Sequence, residues 1–214
     1  MRRERIVCVP RIPKIASQRY KRVPDNKRRK NMNYPQRKPL RLNNYDYSLN
    51  GCYFITICTH NKKSLFGKIE NGNMVLNKNG LIAEENFKKI DLLYKNISVD
   101  TFVVMPNHVH AIIRISNDIS GIEAGIQKED NKNISGIIQS YKSAVTKEIR
   151  WPGESNQSKY NEDEFPNVLK NTNEKIWQKS FYDHIIRSEE DYINIFEYIQ
   201  LNPQRWETDC MYNL

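Results

Sequence analysis

Two histidines separated by one residue stand in the segment FVVMPNHVHAIIRI, residues 102–115. The β-branched residues around them predict a strand, on which side chains at positions i and i+2 point to the same face. The Cα atoms of His108 and His110 would then lie ~6.6 Å apart, close enough for two imidazoles to bind one metal ion. Two histidines leave a metal site open, and an open site can polarise a phosphodiester. Two half-buried histidines on an amphipathic strand are the alternative that this motif leaves open.

A second pair of chemically useful residues lies in YINIFEYIQLNP, residues 192–203. Tyr198 and Asn202 are four residues apart on a predicted helix and therefore share one face. A tyrosine can act as a covalent nucleophile, and an amide oxygen can complete a metal shell. The alternative is that Tyr198 packs in the core and Asn202 caps the helix. Pro203 is expected to end the helix and to disfavour helical ψ at Asn202.

The positive charge of the chain is concentrated at one end. The 214 residues include 34 Lys and Arg and 25 Asp and Glu, a net charge of +9. Residues 1–40 hold 14 basic residues, two acidic residues and five prolines, which predicts a disordered basic arm of net charge +12. Both non-specific phosphate binding and a merely solubilising role stay open for this arm. Residues 41–214 form the predicted domain, whose polar loops at 117–134 and 152–174 carry a net charge of −5.

The hydrophobic patterns predict an α+β fold that positions these residues. In chain order they indicate a strand at 52–60, a hairpin at 66–77, a helix at 81–95, strands at 99–104 and 109–115, a helix at 134–150, a strand at 181–187 and a helix at 189–201. This order predicts an antiparallel sheet with helices packed on one face, a ferredoxin-like or RRM-like fold. No apolar run approaches the ~20 residues of a membrane helix. The four cysteines form no CxxC pair, which favours a reducing cytoplasm.

Taken together, these segments resemble the HUH single-tyrosine transposases, in the branch of the REP-associated tyrosine transposases and their close insertion-sequence relatives. HUH denotes histidine, hydrophobic residue, histidine, here His108-Val109-His110. The resemblance covers about residues 38–206. It is carried, in order, by CYFITICTHNKKSLFG, VVMPNHVHAIIRI, SGIIQSYKSAVTKEI and IWQKSFYDHIIRSEEDYINIFEYIQLNP.

This resemblance implies a metal-dependent endonuclease and strand transferase that acts on single-stranded DNA, with hairpin-forming repeats as the substrate. His108, His110 and Asn202 would hold the cation, Mg²⁺ or Mn²⁺, although imidazole ligands by themselves also favour Zn²⁺. Tyr198 would attack the scissile phosphate, form a 5′-phosphotyrosine and release a 3′-OH, with no nucleotide cofactor. Relatives include monomers and dimers that exchange the tyrosine helix, so a homodimer stays open. The resemblance also implies a prokaryotic, nucleoid-associated protein.

Further candidates follow from the same segments. The resemblance of KSAVTK to the family implies that Lys142 and Lys147 contact DNA phosphates, and the same is expected of Lys62 and Lys63 after the first strand. A merely solvated surface is the alternative for all four. Tyr192 is the reserve nucleophile.

Two other functions stay open. The first is a non-catalytic or degenerate nucleic-acid-binding module on the same fold. RNA-recognition motifs read bases with strand aromatics, and the strand VHAIIRIS has none. The second is a hydrolase of small phosphoesters, for which the motifs show no acidic ligand cluster.

Overall fold

The computed structural model of the chain describes residues 46–116, 133–151 and 174–212. The predicted arm at 1–40, nearly all of the two polar loops and residues 213–214 lie outside these ranges. The strands are β1 (Gly51–Cys58), β2 (Gly67–Glu70), β3 (Asn73–Leu76), β4 (Ile97–Met105), β5 (His108–Ile115) and β6 (Tyr182–Ile186). The α-helices of the described residues are α1 (Lys78–Lys88), α2 (Ile90–Leu93), α3 (Ile134–Arg150) and α4 (Glu189–Leu201).

Four strands form one sheet in the order β4-β5-β1-β6, and every neighbouring pair is antiparallel. The chain runs β1, α1, β4, β5, α3, β6, which is the connectivity of the ferredoxin-like fold. β2 and β3 form a separate hairpin. The predicted α+β class is therefore confirmed. No helix of the described residues is both long enough and apolar enough to cross a membrane.

The alternation of side chains gives the sheet two different faces. On one face, residues such as Ile55 and Ile57 of β1 pack with α1 and α3 in the main hydrophobic core. On the other face, Phe54 and Ile112 pack against Ile195 of α4. The prediction that helices share one face holds for α1 and α3 but is wrong for α4. The apolar stripe of α4 matches the residues that alternate to the opposite side of the strands.

Helix α1 begins earlier than the pattern predicted and is separated from α2. The side chain of Asn77 caps it by accepting a hydrogen bond from the backbone N–H of Gly80 at 3.0 Å. A Cβ on Gly80 would lie 2.1 Å from the carbonyl oxygen of Phe66, so only glycine fits where the helix meets that segment. The single helix predicted at 81–95 is interrupted at Lys89.

The predicted cap of α4 at Ser188 is confirmed, whereas the predicted backbone geometry at the end of the helix is wrong. Ser188 caps the helix by accepting a hydrogen bond from the N–H of Asp191 at 3.1 Å. The helix ends at Leu201, yet Asn202 keeps helical angles, with φ −58° and ψ −42°. The expectation that Pro203 would move Asn202 out of helical geometry is wrong. The N–H of Asn202 still bonds to a carbonyl of the last turn, and the buried side chain holds the residue in helical register.

Candidate active site

Strand β5 presents both histidines on the face that α4 covers. In the register of β1 and β5, His110 lies opposite Thr56 and His108 lies opposite Cys58. The ring centroids of the two histidines are 4.3 Å apart, and neither side chain is exposed to solvent. The predicted convergence of the two imidazoles is therefore present in the structure.

Asn107 fixes the tautomer of His108. Its Nδ2 donates to the carbonyl of Met211 at 2.8 Å and to that of Lys62 at 3.3 Å, so its Oδ1 is the atom that faces His108. That oxygen can only accept, and it lies 2.8 Å from Nδ1 of His108. Nδ1 therefore carries the proton, and Nε2 keeps its lone pair. Nε2 is buried and makes no hydrogen bond to a described residue.

His110 is held by contacts on three sides. Its Nδ1 lies 2.9 Å from Oγ1 of Thr56, and its ring stacks on Phe54 with centroids 5.2 Å apart. Its Nε2 lies 3.3 Å from the hydroxyl of Tyr198. A hydrogen bond at Nδ1 is the usual way in which a metal-binding histidine is oriented, and it leaves Nε2 for the ligand.

Tyr198 and Asn202 reach the histidines from α4, one turn apart, as predicted. The Tyr198 ring meets Phe54 edge to face, with centroids 6.1 Å apart, and is half-buried. Asn202 is almost fully buried, and its Oδ1 finds no hydrogen-bond partner among the described residues. Tyr198 thus meets His110 within one chain.

A fifth residue, Asp209, was missed by the sequence analysis. Its Oδ2 accepts hydrogen bonds from the hydroxyl of Tyr198 at 3.0 Å and from Nδ2 of Asn202 at 2.8 Å. Its Oδ1 accepts from the backbone N–H of Met211 at 2.6 Å. The chain turns back after α4 through a short 3₁₀-helix, Trp206–Thr208, which brings this carboxylate to the histidines. A lone aspartate in WETDCM carries no spacing signal that could have predicted this.

Burial sets the protonation states of the site. It lowers the pKa of His108 to about 3, with the charge of Lys62 adding to the effect and the Asn202 side chain opposing it. Burial and the neighbouring His108 also lower the pKa of His110 well below its usual value. Both imidazoles are therefore neutral near pH 7 and can bind a cation without losing a proton.

Tyr198 shows the opposite shift. Burial, the charge of Asp209 and the hydrogen bond to that carboxylate raise the pKa of Tyr198 far above its ordinary value. In the absence of a cation, the hydroxyl is thus a protonated phenol at any physiological pH.

The donor set fits a divalent cation. One nitrogen each of His108 and His110 and one oxygen of Asp209 all lie within 4.8 Å of one another. Ligands that are 2.0–2.3 Å from one ion lie at most ~4.6 Å apart, so a small contraction would complete the shell. Buried polar atoms without partners cost free energy, and both Nε2 of His108 and Oδ1 of Asn202 would gain a partner. The carboxylate supplies the negative charge that an all-neutral set would lack.

The four predicted DNA-contacting lysines fall into two groups. Lys62 lies beside the site, and its Nζ donates to the carbonyl of Cys210 at 3.0 Å. Lys63 is exposed and forms an ion pair with Glu174 at 2.7 Å. These positions are compatible with a strand of DNA that approaches the histidines.

Lys142 and Lys147 belong to α3, on the other face of the sheet from the histidines. Nζ of Lys142 donates to the carbonyls of Gln178 and Ser180 at 3.0 and 2.7 Å, and its burial lowers its pKa to about 8. The ammonium of Lys142 holds the chain that leads into β6, and its contact with a DNA phosphate stays a prediction. Lys147 is exposed on the same helix.

Tyr192, the reserve nucleophile, points away from the histidines. Its hydroxyl donates to Oδ2 of Asp100 at 3.1 Å, and Arg114 lies over its ring at 5.9 Å. Gln200 of the same helix also projects away from the histidines, and its Nε2 donates to Oγ1 of Thr101 at 2.8 Å.

The chain has a relative of similar length in Haemophilus influenzae. It is 36% identical over 185 residues to a Haemophilus influenzae protein described only as uncharacterized, over 82% of this chain and 93% of that protein. No family model matches the chain.

Two solved structures show limited similarity. One is a REP-associated tyrosine transposase bound to a REP hairpin, with a TM-score of 0.48, 18% identity, and coverage of 78% of this chain and 74% of that one. The other is a putative transposase from Deinococcus radiodurans, with a TM-score of 0.41, 13% identity, and coverage of 75% and 95%. Similarity at this level does not transfer a function.

Proposed function

We propose that this chain, which belongs to the same family as the Haemophilus influenzae protein, is a metal-dependent endonuclease and strand transferase for single-stranded DNA with a tyrosine nucleophile. One observation carries the proposal. The hydroxyl of Tyr198 lies 3.3 Å from Nε2 of His110, inside a cluster whose nitrogen and oxygen atoms fit one cation. The sequence resemblance to the HUH transposases implies the same chemistry, with Tyr198 as the nucleophile and with His108 and His110 among the metal ligands.

Four side chains would hold the cation. His108 and His110 would offer Nε2, Asn202 its free Oδ1, and Asp209 a carboxylate oxygen. Oxygen ligands favour Mg²⁺ and Mn²⁺, and imidazoles favour the softer Mn²⁺, so a mixed set is well suited to Mn²⁺. Once bound, the cation would polarise the scissile phosphate and offset the negative charge that develops on it.

Tyr198 would then perform the covalent step. Its oxygen forms a bond to phosphorus while the bond from phosphorus to the 3′-oxygen breaks, leaving a 5′-phosphotyrosine and a free 3′-OH. The phenolic proton passes to bulk water at the half-exposed edge of the site, and the 3′-oxygen takes up a proton. A phosphodiester replaces a phosphodiester, so the step needs no nucleotide cofactor and can run backwards to join strands.

The energetics explain why Tyr198 needs the cation. An ordinary phenol, with a pKa of ~10, costs ~4 kcal/mol to ionise at pH 7, at 1.36 kcal/mol per pH unit. The pKa of Tyr198 is raised further by burial and by Asp209, so the metal-free site holds an unreactive phenol. A cation bound to Asp209 would remove the charge that opposes ionisation.

The test uses the full chain, Mn²⁺ and labelled single-stranded DNA with a hairpin and unpaired flanks. We expect a covalent adduct that survives denaturation in SDS. The adduct should not form in reactions that contain EDTA in place of the metal. Tyr198→Phe should abolish the adduct. Tyr192→Phe is the matched control, because it removes a hydroxyl from the same helix outside the metal cluster and should leave the adduct intact.

Two outcomes would contradict the proposal. An adduct that persists in Tyr198→Phe would disprove the nucleophile. DNA binding without any metal-dependent adduct would favour a non-catalytic binding module on the same fold.

A further inference from the structure

A cleft of about 360 Å³ adjoins the candidate active site and takes no part in the chemistry described so far. One wall is the β2–β3 hairpin, and the other is the C-terminal segment, residues 203–212, which follows α4. Ser64 and Pro106 also line the cleft. This volume is near the lower limit of small-ligand sites, ~300 Å³, so the cleft suits one small group rather than a duplex.

The cleft and the active site share a wall. Trp206 lines the cleft, and its ring centroid lies 5.9 Å from that of His108. Pro203, which directly follows Asn202, also lines it. A ligand in the cleft would therefore lie one aromatic ring away from the atoms proposed to hold the cation.

The lining contains two aromatic rings and several polar groups; Trp206 is buried, and Tyr212 is half-buried and offers more accessible aromatic surface. Trp206 and Tyr212 meet edge to face, with centroids 5.4 Å apart, so the two rings form a corner rather than a flat wall. Ser64 and Gln204 are exposed and bring a hydroxyl and an amide, each of which can donate and accept hydrogen bonds. Such a combination matches the faces and edges of a nucleobase.

The charge of the cleft does not suit a phosphate. Its lining contains one cation, Lys68, and one anion, Glu207. Lys68 already forms an ion pair with Glu70 at 2.6 Å. Without excess positive charge, a neutral aromatic ring is a better occupant than an anionic group.

We propose that this cleft holds one unpaired nucleobase of the substrate strand, that of a nucleotide next to the scissile phosphate. The inference rests on the proposed function, since it requires single-stranded DNA at the site. An anchored base would fix which phosphate lies between Tyr198 and the cation. The cleft would then set the cleavage position, whereas the histidines and the tyrosine perform the reaction.

The test is a scan of abasic nucleotides along the unpaired flank of the hairpin DNA. Binding is measured with Mn²⁺ and the Tyr198→Phe protein, so that cleavage does not disturb the equilibrium. We expect one flanking position at which loss of the base weakens binding about tenfold, equivalent to ~1.4 kcal/mol and within the range for a stacked base. The other flanking positions should show smaller effects.

Two variants link that position to the cleft. Tyr212→Ala and Gln204→Ala, each on the Tyr198→Phe background, should weaken binding of the intact strand. In these variants, removal of the base at the sensitive position should no longer weaken binding further. Gln204 is exposed, so its replacement should not impair folding. Gln139→Ala, an exposed glutamine on α3 across the sheet, is the matched control and should retain the full penalty.

The outcomes separate the two proposals. A strand that binds and is cleaved by the parent protein, but shows equal effects at every abasic position, overturns the base-binding cleft and leaves the proposed function standing. A penalty that persists unchanged in both cleft variants also overturns the cleft. A strand that does not bind at all overturns both.

Discussion

The two faces of the same sheet differ in what their buried residues contribute. On the face covered by α1 and α3, the buried residues are almost all apolar, such as Ile55, Val109 and Ile113, and they form the main core. On the face covered by α4, the same strands bury His108 and His110, and one nitrogen there has no hydrogen-bond partner among the described residues. The first face stabilises the fold, and the second buries two polar atoms at the candidate site, Nε2 of His108 and Oδ1 of Asn202, that a bound cation would satisfy.

This difference arises within single strands. Neighbouring residues of β5 point to opposite faces, so His110 and Ala111 serve different roles although they are adjacent in the chain. Substitution of a residue of β5 that faces α1 and α3 should therefore impair stability, whereas substitution of either histidine should impair metal binding. The following predictions test that division, from the largest expected effect to the smallest.

The largest contrast compares His108→Leu with Ile113→Ala on the same strand. His108→Leu should abolish Mn²⁺ binding and adduct formation at a smaller cost in the free energy of unfolding, because removal of the unsatisfied Nε2 partly offsets the hydrogen bond that Oδ1 of Asn107 loses. Ile113→Ala should cost about 2–5 kcal/mol of stability and leave Mn²⁺ affinity unchanged in the folded protein. Urea denaturation measures the free energy of unfolding of each variant, and calorimetric titration measures its Mn²⁺ affinity. Equal losses of stability would remove the distinction between the faces.

The second prediction concerns the carboxylate that the tertiary fold adds to the α4 face. Asp209→Asn removes its charge but keeps its size, so Mn²⁺ affinity should fall at least about tenfold, by analogy with the loss seen when groups that support metal ligands are replaced. Calorimetric titration without DNA measures this. Glu207→Gln, two residues away and exposed, should bind Mn²⁺ like the parent protein. Unchanged affinity in Asp209→Asn would exclude this residue as a ligand.

The third prediction is a pH dependence that only the α4 face should produce. His108 has a pKa of about 3 in the folded protein and ~6.5 when unfolded, so between these values the unfolded chain binds a proton that the folded chain does not. Metal-free stability should therefore fall as the pH drops through this window, with this residue contributing up to ~1.36 kcal/mol per pH unit. His108→Leu should show a shallower slope in urea denaturation. An identical slope would mean that other groups cause the acid sensitivity.

The smallest effect separates lysines on the two faces. Lys62→Ala, beside the histidines, should weaken binding of single-stranded DNA a few-fold and reduce its dependence on salt, because one phosphate contact is lost. Lys147→Ala, exposed on α3, should change neither quantity. Fluorescence anisotropy at several salt concentrations measures both. A larger loss of affinity for Lys147→Ala would place DNA on the face of the sheet that α1 and α3 cover.

Much of the fold was predictable because it depends on local pattern. The alternating strands around the histidines, the helical spacing of α3 and the cap at Ser188 each follow from the side chains nearby, and all were confirmed. The side of the sheet on which α4 packs was predicted wrongly. An amphipathic stripe shows that a helix is half-buried, but it does not show which surface buries it.

The candidate site likewise contains features that local spacing predicts and features that only the packed structure shows. The spacing of His108, His110, Tyr198 and Asn202 is a property of one strand and one helix, so the sequence could place these residues in pairs. The sequence could not show how Lys142 is held, because an exposed lysine and a tethered lysine have the same sequence signature. Only the packed structure shows that its ammonium reaches two carbonyls.

The sequence by itself determined the strand that carries the histidines, the helix that carries the tyrosine, and the chemistry these side chains can perform. Only the tertiary structure decided that α4 crosses the strand on the histidine side, and that the turn after it returns Asp209 to the same point. Local periodicity fixes which residues share a face. The meeting of two faces and a returning segment depends on packing between residues far apart in the chain, which no local pattern encodes.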